Sequence, residues 1–76
     1  MSNNYFEPAP RAMYKGELAL TYNPDMEPRA ALRTLNQWVA LSPGLTDRLE
    51  ATGWRKTSRM LSPLQVRLIY DALGQP

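Results

Sequence analysis

The tripeptide Leu-Ser-Pro occurs twice, at residues 41–43 and 61–63, and it constrains the fold most because it marks helix boundaries. At the second site Ser62 is a favourable N-cap, since its hydroxyl can accept a hydrogen bond from a first-turn amide, and the proline after it suits the first helical position. Gln65 stands three residues later and completes a capping box. The sequence therefore predicts a helix that begins at this serine and ends at Gly74.

The first Leu-Ser-Pro site is a weaker helix start. Gly44 follows it, and neither Leu45 nor Thr46 supplies a capping box or a hydrophobic staple. We expect that helix to begin nearer Thr46 and to run to Gly53. Because the flanking sequences differ, we interpret the two tripeptides as two helix starts and not as a duplicated module.

The segment "EPRAALRTLNQWVAL" has the period of an amphipathic helix. Its apolar side chains recur three and four positions apart, and Pro28 suits a first turn. Arg29 and Arg33 fall on the opposite side and should face solvent. We predict a helix from 28 to 41.

Residues 13–22 alternate between two faces instead. Tyr14, Leu18 and Tyr22 share one face and Lys15 belongs to the other, a period typical of a strand. No other segment alternates, so three outcomes stay open: the extended segment crosses the helices, pairs with the N-terminal arm in a hairpin, or pairs with a sheet edge of another molecule.

Together these elements predict a mainly α fold. Residues 1–12 contain two prolines and little periodicity, so we expect a flexible arm. Residues 13–76 are expected to form one small domain, a compact bundle of three or four short helices with at most one short strand, preceded by the extended segment 13–22.

Two absent residue types limit the chemistry. The 76 residues include neither cysteine nor histidine, which excludes disulfides, zinc sites built from those ligands, and thiol or imidazole catalysis. The seven acidic residues show no spacing that suggests a paired acid and base. We therefore expect a protein that is not an enzyme and has neither cofactor nor metal. The sequence offers no apolar run of membrane-spanning length, so we expect a cytoplasmic protein. We also expect a monomer.

One basic segment stands out on a chain of net charge +2. It suits contact with phosphates or with an acidic protein surface. The stretch "LTDRLEATGWRKTSRMLS" resembles a helix-turn-helix with Gly53 in the turn and a basic second helix. The inward position of that second helix, however, falls near Arg59. We favour the other interpretation of this stretch, a solvated basic connector between core helices. The cations of the segment are Arg55, Lys56, Arg59 and Arg67.

Aromatic side chains are more numerous than a core of this size can enclose. We expect Trp38 and Trp54 to lie in the core, together with Met60 and Leu61. The aromatics of the first 22 residues are candidate anchors for a partner, because such side chains dominate interface energetics. These anchors are Tyr5, Phe6, Tyr14 and Tyr22.

An extended N-terminal third ("SNNYFEPAPRAMYKGELALTY") followed by a short helical set ("PRAALRTLNQWVALSPGLTDRLEATGW", "LSPLQVRLIYDALG") is similar to a small transcription regulator of lytic bacteriophages. The resemblance implies a protein that binds the host's bacterial RNA polymerase in the host cytoplasm. Its target would be the largest subunit, near the RNA exit channel and the flap. It would inhibit initiation by displacing the sigma factor and could promote antitermination. The eight residues of the basic segment and the aromatic set would form the contact surface. A DNA-binding helix-turn-helix regulator is the alternative.

Overall fold

A computed structural model describes residues 10–76, which form four helices and one two-stranded antiparallel sheet. The predicted fold class is therefore confirmed. Most of the predicted arm, including Tyr5 and Phe6, lies outside the described residues. No helix among residues 10–76 has the length and apolar character to cross a membrane. The elements are β1 (Met13–Tyr14), α1 (Lys15–Tyr22), α2 (Pro28–Leu41), α3 (Leu45–Glu50), β2 (Met60–Leu61) and α4 (Pro63–Leu73).

The prediction of an extended segment over 13–22 is wrong for most of its length, because α1 occupies Lys15–Tyr22. The side chains that turn inward are Lys15, Leu18 and Ala19, with Tyr22 half-buried one turn further on. These positions follow the i, i+3, i+4, i+7 spacing of a helix. The pattern was hidden because its first inward position is a lysine, which an alternating pattern assigns to solvent.

The true strand is two residues long and finds its partner within the domain. Met13 pairs with Leu61 and Tyr14 with Met60, in antiparallel register. The backbone N–H of Lys15 donates to the carbonyl of Arg59 at 2.6 Å and extends the ladder by one bond. The observed partner, β2, is none of the three outcomes considered for the segment. It could not be foreseen because β2 is too short to show an alternating pattern.

The prediction for α2 is confirmed at both ends. Its N-cap is Glu27, whose carboxylate accepts from the amide of Ala30 at 3.3 Å. Trp38, in contrast, was wrongly placed in the core: it is 37% exposed and meets Tyr22 edge-on, with ring centroids 6.0 Å apart. It lies at the flank of the apolar stripe, where α2 passes the end of α1. Trp54 is buried, as predicted.

The two Leu-Ser-Pro sites have different roles. At the second, the Ser62 hydroxyl accepts from the Gln65 amide and the Gln65 side chain accepts from the Ser62 amide, so the capping box is confirmed. The first site is not a helix start. Ser42 ends α2, and its hydroxyl donates to the Trp38 carbonyl at 3.0 Å. Gly44, with φ +73°, then turns the chain into α3.

The core lies where the helices meet. α1 packs along α2 in the most extensive contact between elements, and α3 packs on α4. The Gln65 amide nitrogen donates to the Thr52 hydroxyl at 2.9 Å and ties α4 to the end of α3. The largest fully buried side chains are Leu18, Leu35, Leu45, Leu49, Leu61, Val66 and Ile69.

Candidate functional site

The segment that follows Gly53 is a loop and contains no recognition helix, so the basic connector favoured for this stretch is confirmed and the helix-turn-helix interpretation is wrong. We call residues 54–59 the basic loop. The loop closes on itself: the Ser58 amide donates to the Arg55 carbonyl at 2.8 Å, and the Arg55 amide donates to the Ser58 hydroxyl at 3.0 Å. The loop leads into β2, where Met60 is 51% exposed and not in the core as expected.

The helix pair that has the order of a helix-turn-helix motif, two consecutive helices joined by a short turn, is α1 and α2. The two helices are consecutive, packed together, and joined by residues 23–27. The connection is held by two backbone bonds, from Asn23 to the Ala19 carbonyl and from Met26 to the Asn23 carbonyl. It is slightly longer than the three or four residues typical of the motif. The second helix of such a pair is the one that enters the major groove of DNA.

The outward face of α2 is basic and polar. Within its sequence "PRAALRTLNQWVAL" there is no acidic residue. Arg29, Arg33 and Asn36 follow the i, i+4, i+7 spacing and so share one side of the helix. Both arginines are exposed, as predicted, and Asn36 is half-buried because it faces the basic loop.

A cleft of about 570 Å³ separates the basic loop from this side of α2. Its third wall is the beginning of α1. None of the lining side chains is acidic. The lining residues are Tyr14, Lys15, Gly16, Leu32, Asn36, Lys56, Thr57, Ser58 and Arg59.

Lys15 is the buried cation of this cleft, with only 6% of its surface exposed. Its Nζ donates to the Lys56 carbonyl at 2.7 Å and lies 5.3 Å from the centroid of the Trp54 ring. Burial, and secondly the positive charge of Lys56, lower the pKa of the Lys15 ammonium. Over residues 10–76 the structure contains a single salt bridge, Arg11–Glu17, so no carboxylate there neutralises Lys15.

The comparison with family models gives one result. Residues 9–76 match the model described as a domain of unknown function, DUF4248. The chain belongs to the DUF4248 family. No curated protein and no solved structure matches it. The family description names no activity, so a function for this DUF4248 domain has to be argued from its site.

The DUF4248 domain brings together some of the predicted contact residues and separates others. Arg55, Lys56 and Arg59 are exposed on the basic loop, and Tyr14 stands at the rim of the cleft. Arg67 is exposed on α4 and does not line the cleft.

Tyr22 lies away from the cleft of the DUF4248 domain. It is half-buried against Trp38, and its hydroxyl donates to the Gly74 carbonyl. Burial, together with the nearby Tyr70, raises the pKa of Tyr22 to about 12. Its side chain is therefore used by contacts within the domain, and its predicted role as a partner anchor stays a prediction.

Sequence reasoning missed three residues of the site. Arg29 and Arg33 were predicted to face solvent but were given no role, and Lys15 was assigned to the outer face of a strand. The signal that could have identified Lys15 is the helical spacing of residues 15, 18, 19 and 22 just before α2. The predicted contact with RNA polymerase follows from the resemblance alone and stays a prediction.

Proposed function

We propose that this DUF4248 domain binds duplex DNA without catalysing a reaction. In this proposal α2 enters the major groove, and the basic loop contacts the phosphate backbone beside it. The observation that carries the proposal is the consecutive packed pair α1–α2, in which the second helix has no acidic residue, exposes its two arginines, and meets the basic loop across the cleft at Leu32 and Asn36.

The chemistry of α2 suits a base-reading helix. The major groove is wide enough for an α-helix, and arginine and asparagine are the side chains that most often make paired hydrogen bonds to guanine and adenine. Asn36, with Gln37 at its edge, offers such an amide from the side of α2 that carries Arg29 and Arg33.

Acidic residues restrict where the phosphates can lie. Asp25 and Glu27 precede α2, and the Glu27 carboxylate is used by the N-cap. Because these carboxylates repel phosphates, backbone contacts are expected from the side of α2 that carries its arginines and from the basic loop, and not from the turn before α2. Four cations are positioned for them: Arg29, Arg33, Lys56 and Arg59.

The direct test is the salt dependence of binding to a fluorescent mixed-sequence duplex, followed by anisotropy. Four phosphate contacts predict a slope of log affinity against log salt of about −3.6, and so an affinity loss of about 150-fold between about 50 and 200 mM salt. Arg33→Gln and Arg59→Gln should each reduce the magnitude of the slope by about 0.9.

Arg48→Gln is the matched control, because Arg48 is an exposed arginine on α3 that does not line the cleft. Absence of binding at micromolar protein and low salt would refute the proposal. So would equal losses from Arg33→Gln and Arg48→Gln.

The polymerase contact implied by the phage resemblance has a separate test. Purified bacterial RNA polymerase, treated with nuclease, is offered to the immobilised domain. Retention that Arg33→Gln leaves unchanged, combined with no binding to free duplex, would favour the polymerase prediction over DNA binding.

A further inference from the structure

We propose that the cleft between the basic loop and α2 binds one phosphate group. That this phosphate belongs to the backbone of duplex DNA rests on the proposed function. The same chemistry would also take a free phosphate compound, and the experiment below separates the two sources.

The inner wall of the cleft holds a buried charge that the described residues do not neutralise. An ammonium group has three donors, and the Lys15 ammonium makes one hydrogen bond within residues 10–76, to the Lys56 carbonyl. Burying a cation without an anionic partner is unfavourable. An oxyanion in the cleft would supply both the missing acceptors and the missing negative charge.

The outer wall adds two further cations. Lys56 and Arg59 are exposed on the basic loop, and Thr57 and Ser58 contribute hydroxyl groups between them. With Lys15 this makes three positive charges around one cleft, and no lining residue is acidic. A phosphate, which carries one or two negative charges on several acceptor oxygens, matches this set better than a single carboxylate does.

The third wall presents backbone donors. α1 begins at Lys15, and its N-cap residue Tyr14 makes no side-chain capping bond. The Lys15 amide already donates to the Arg59 carbonyl. The other first-turn amides have no acceptor within their own helix, and the positive end of the helix dipole favours an anion. Gly16 lies in this first turn, and a Cβ atom built on it would have no neighbour within 4 Å. The backbone there is open to the cleft.

The position of the cleft gives the phosphate a role. It adjoins the side of α2 that carries Asn36 and the two outward arginines. Phosphate contacts fix the register of a protein on the duplex while base contacts specify the sequence. A backbone phosphate held between Lys15 and the basic loop would set how α2 sits in the groove.

The test uses the full chain labelled with ¹⁵N and titrated with inorganic phosphate, with chloride of equal ionic strength as the reference. The amide signals of Gly16 and of the basic loop should shift and saturate, while those of α3 stay unchanged. The key variant is Gly16→Asp, which places a carboxylate in the cleft. Asp suits the first turn of a helix, and the space for its Cβ is open, so the variant should fold. Gly16→Ala is the matched control and should keep the phosphate shifts.

Anisotropy with duplex DNA completes the test. Gly16→Asp should weaken DNA binding and reduce the magnitude of the salt slope by about 0.9, and Gly16→Ala should not. If phosphate produces no saturable shift, the cleft proposal is refuted, even where DNA binding itself is intact. If phosphate binds the cleft and the duplex does not bind, the cleft proposal stands for a free phosphate compound and the DNA function is refuted. Equal phosphate affinities of Gly16→Asp and Gly16→Ala would also refute the proposal that phosphate binds in the cleft.

Discussion

Gln65 joins the start of α4 to the end of α3, and replacing it by alanine tests how much this junction stabilises the domain. Its side chain is buried, accepts from the Ser62 amide at 2.9 Å, and donates to the Thr52 hydroxyl at 2.9 Å. Gln65→Ala removes both bonds, each with a net contribution of about 1 kcal/mol, and leaves the half-buried Ser62 amide without its partner. We expect the free energy of unfolding to fall by about 2–3 kcal/mol.

Two serine variants provide the scale for this effect. Ser62→Ala removes one capping bond and should cost about 0.5–2 kcal/mol. Ser42→Ala removes a bond to the Trp38 carbonyl at the end of α2, where Ser42 caps no helix start, and should stay within about 0.5 kcal/mol. The expected order is therefore Gln65→Ala above Ser62→Ala above Ser42→Ala.

Urea unfolding followed by far-ultraviolet circular dichroism measures the three differences. A domain of 76 residues has a stability on the order of 4–11 kcal/mol, so all three variants should keep a folded baseline. With a slope of about 1 kcal/mol per M urea, Gln65→Ala should lower the midpoint by about 2–3 M. Equal losses from the two serine variants, or a loss for Gln65→Ala no larger than that for Ser62→Ala, would refute the capping argument.

Four further variants test other parts of the fold. Because burial raises the pKa of Tyr22 to about 12 from 10.0, the folded chain holds this proton longer, and the free energy of unfolding should fall as the pH rises from 10.0 towards 12. Tyr22→Phe should remove that decline in urea titrations. The pKa of Lys15 is lowered from 10.5, so stability should rise as the pH approaches 10.5, and Lys15→Met should abolish this rise. Gly44→Ala forces a side chain into φ +73° and should cost about 1–2 kcal/mol in thermal melts. Gly16→Ala, in a helical first turn, should be neutral or stabilising.

The elements that could be predicted from the sequence are those with strong local signals. α2 combines a first-turn proline with an apolar stripe, and α4 combines a capping box with a terminal Gly74, so their ends were predicted closely. In both helices the local signal and the tertiary contacts agree.

The N-terminal elements could not be predicted because tertiary contacts decide them. Lys15 is buried because its ammonium group contacts the Lys56 carbonyl and the Trp54 ring of the basic loop. No residue next to Lys15 in the sequence indicates these contacts. Without an apolar residue at position 15, the helical spacing of α1 looks like alternation. β2 exists because Met13 and Tyr14 come to lie beside it, and a two-residue strand has no period of its own.

The candidate site was predicted in part. The cations of the basic loop were identified because they cluster in the sequence. Arg67 and Tyr22 were included in the predicted contact set, although they lie away from the cleft. The helix-turn-helix interpretation of the stretch after α3 was wrong because it took Gly53 as the turn of a helix pair. That glycine instead ends the turn after α3, with φ +93°.

The hydrogen bonds between the basic loop and α1 are accepted by carbonyl groups of the loop. The backbone N–H of Lys15 holds the carbonyl of residue 59, and its ammonium holds the carbonyl of residue 56. Because every amino acid supplies the same carbonyl, the side chains at positions 55, 56 and 59 can be exchanged without loosening this attachment. The bonds that hold the loop backbone are thus independent of the exposed side chains of the loop. New binding specificities could be selected at positions 55, 56 and 59 from a randomised library without changing the rest of the fold.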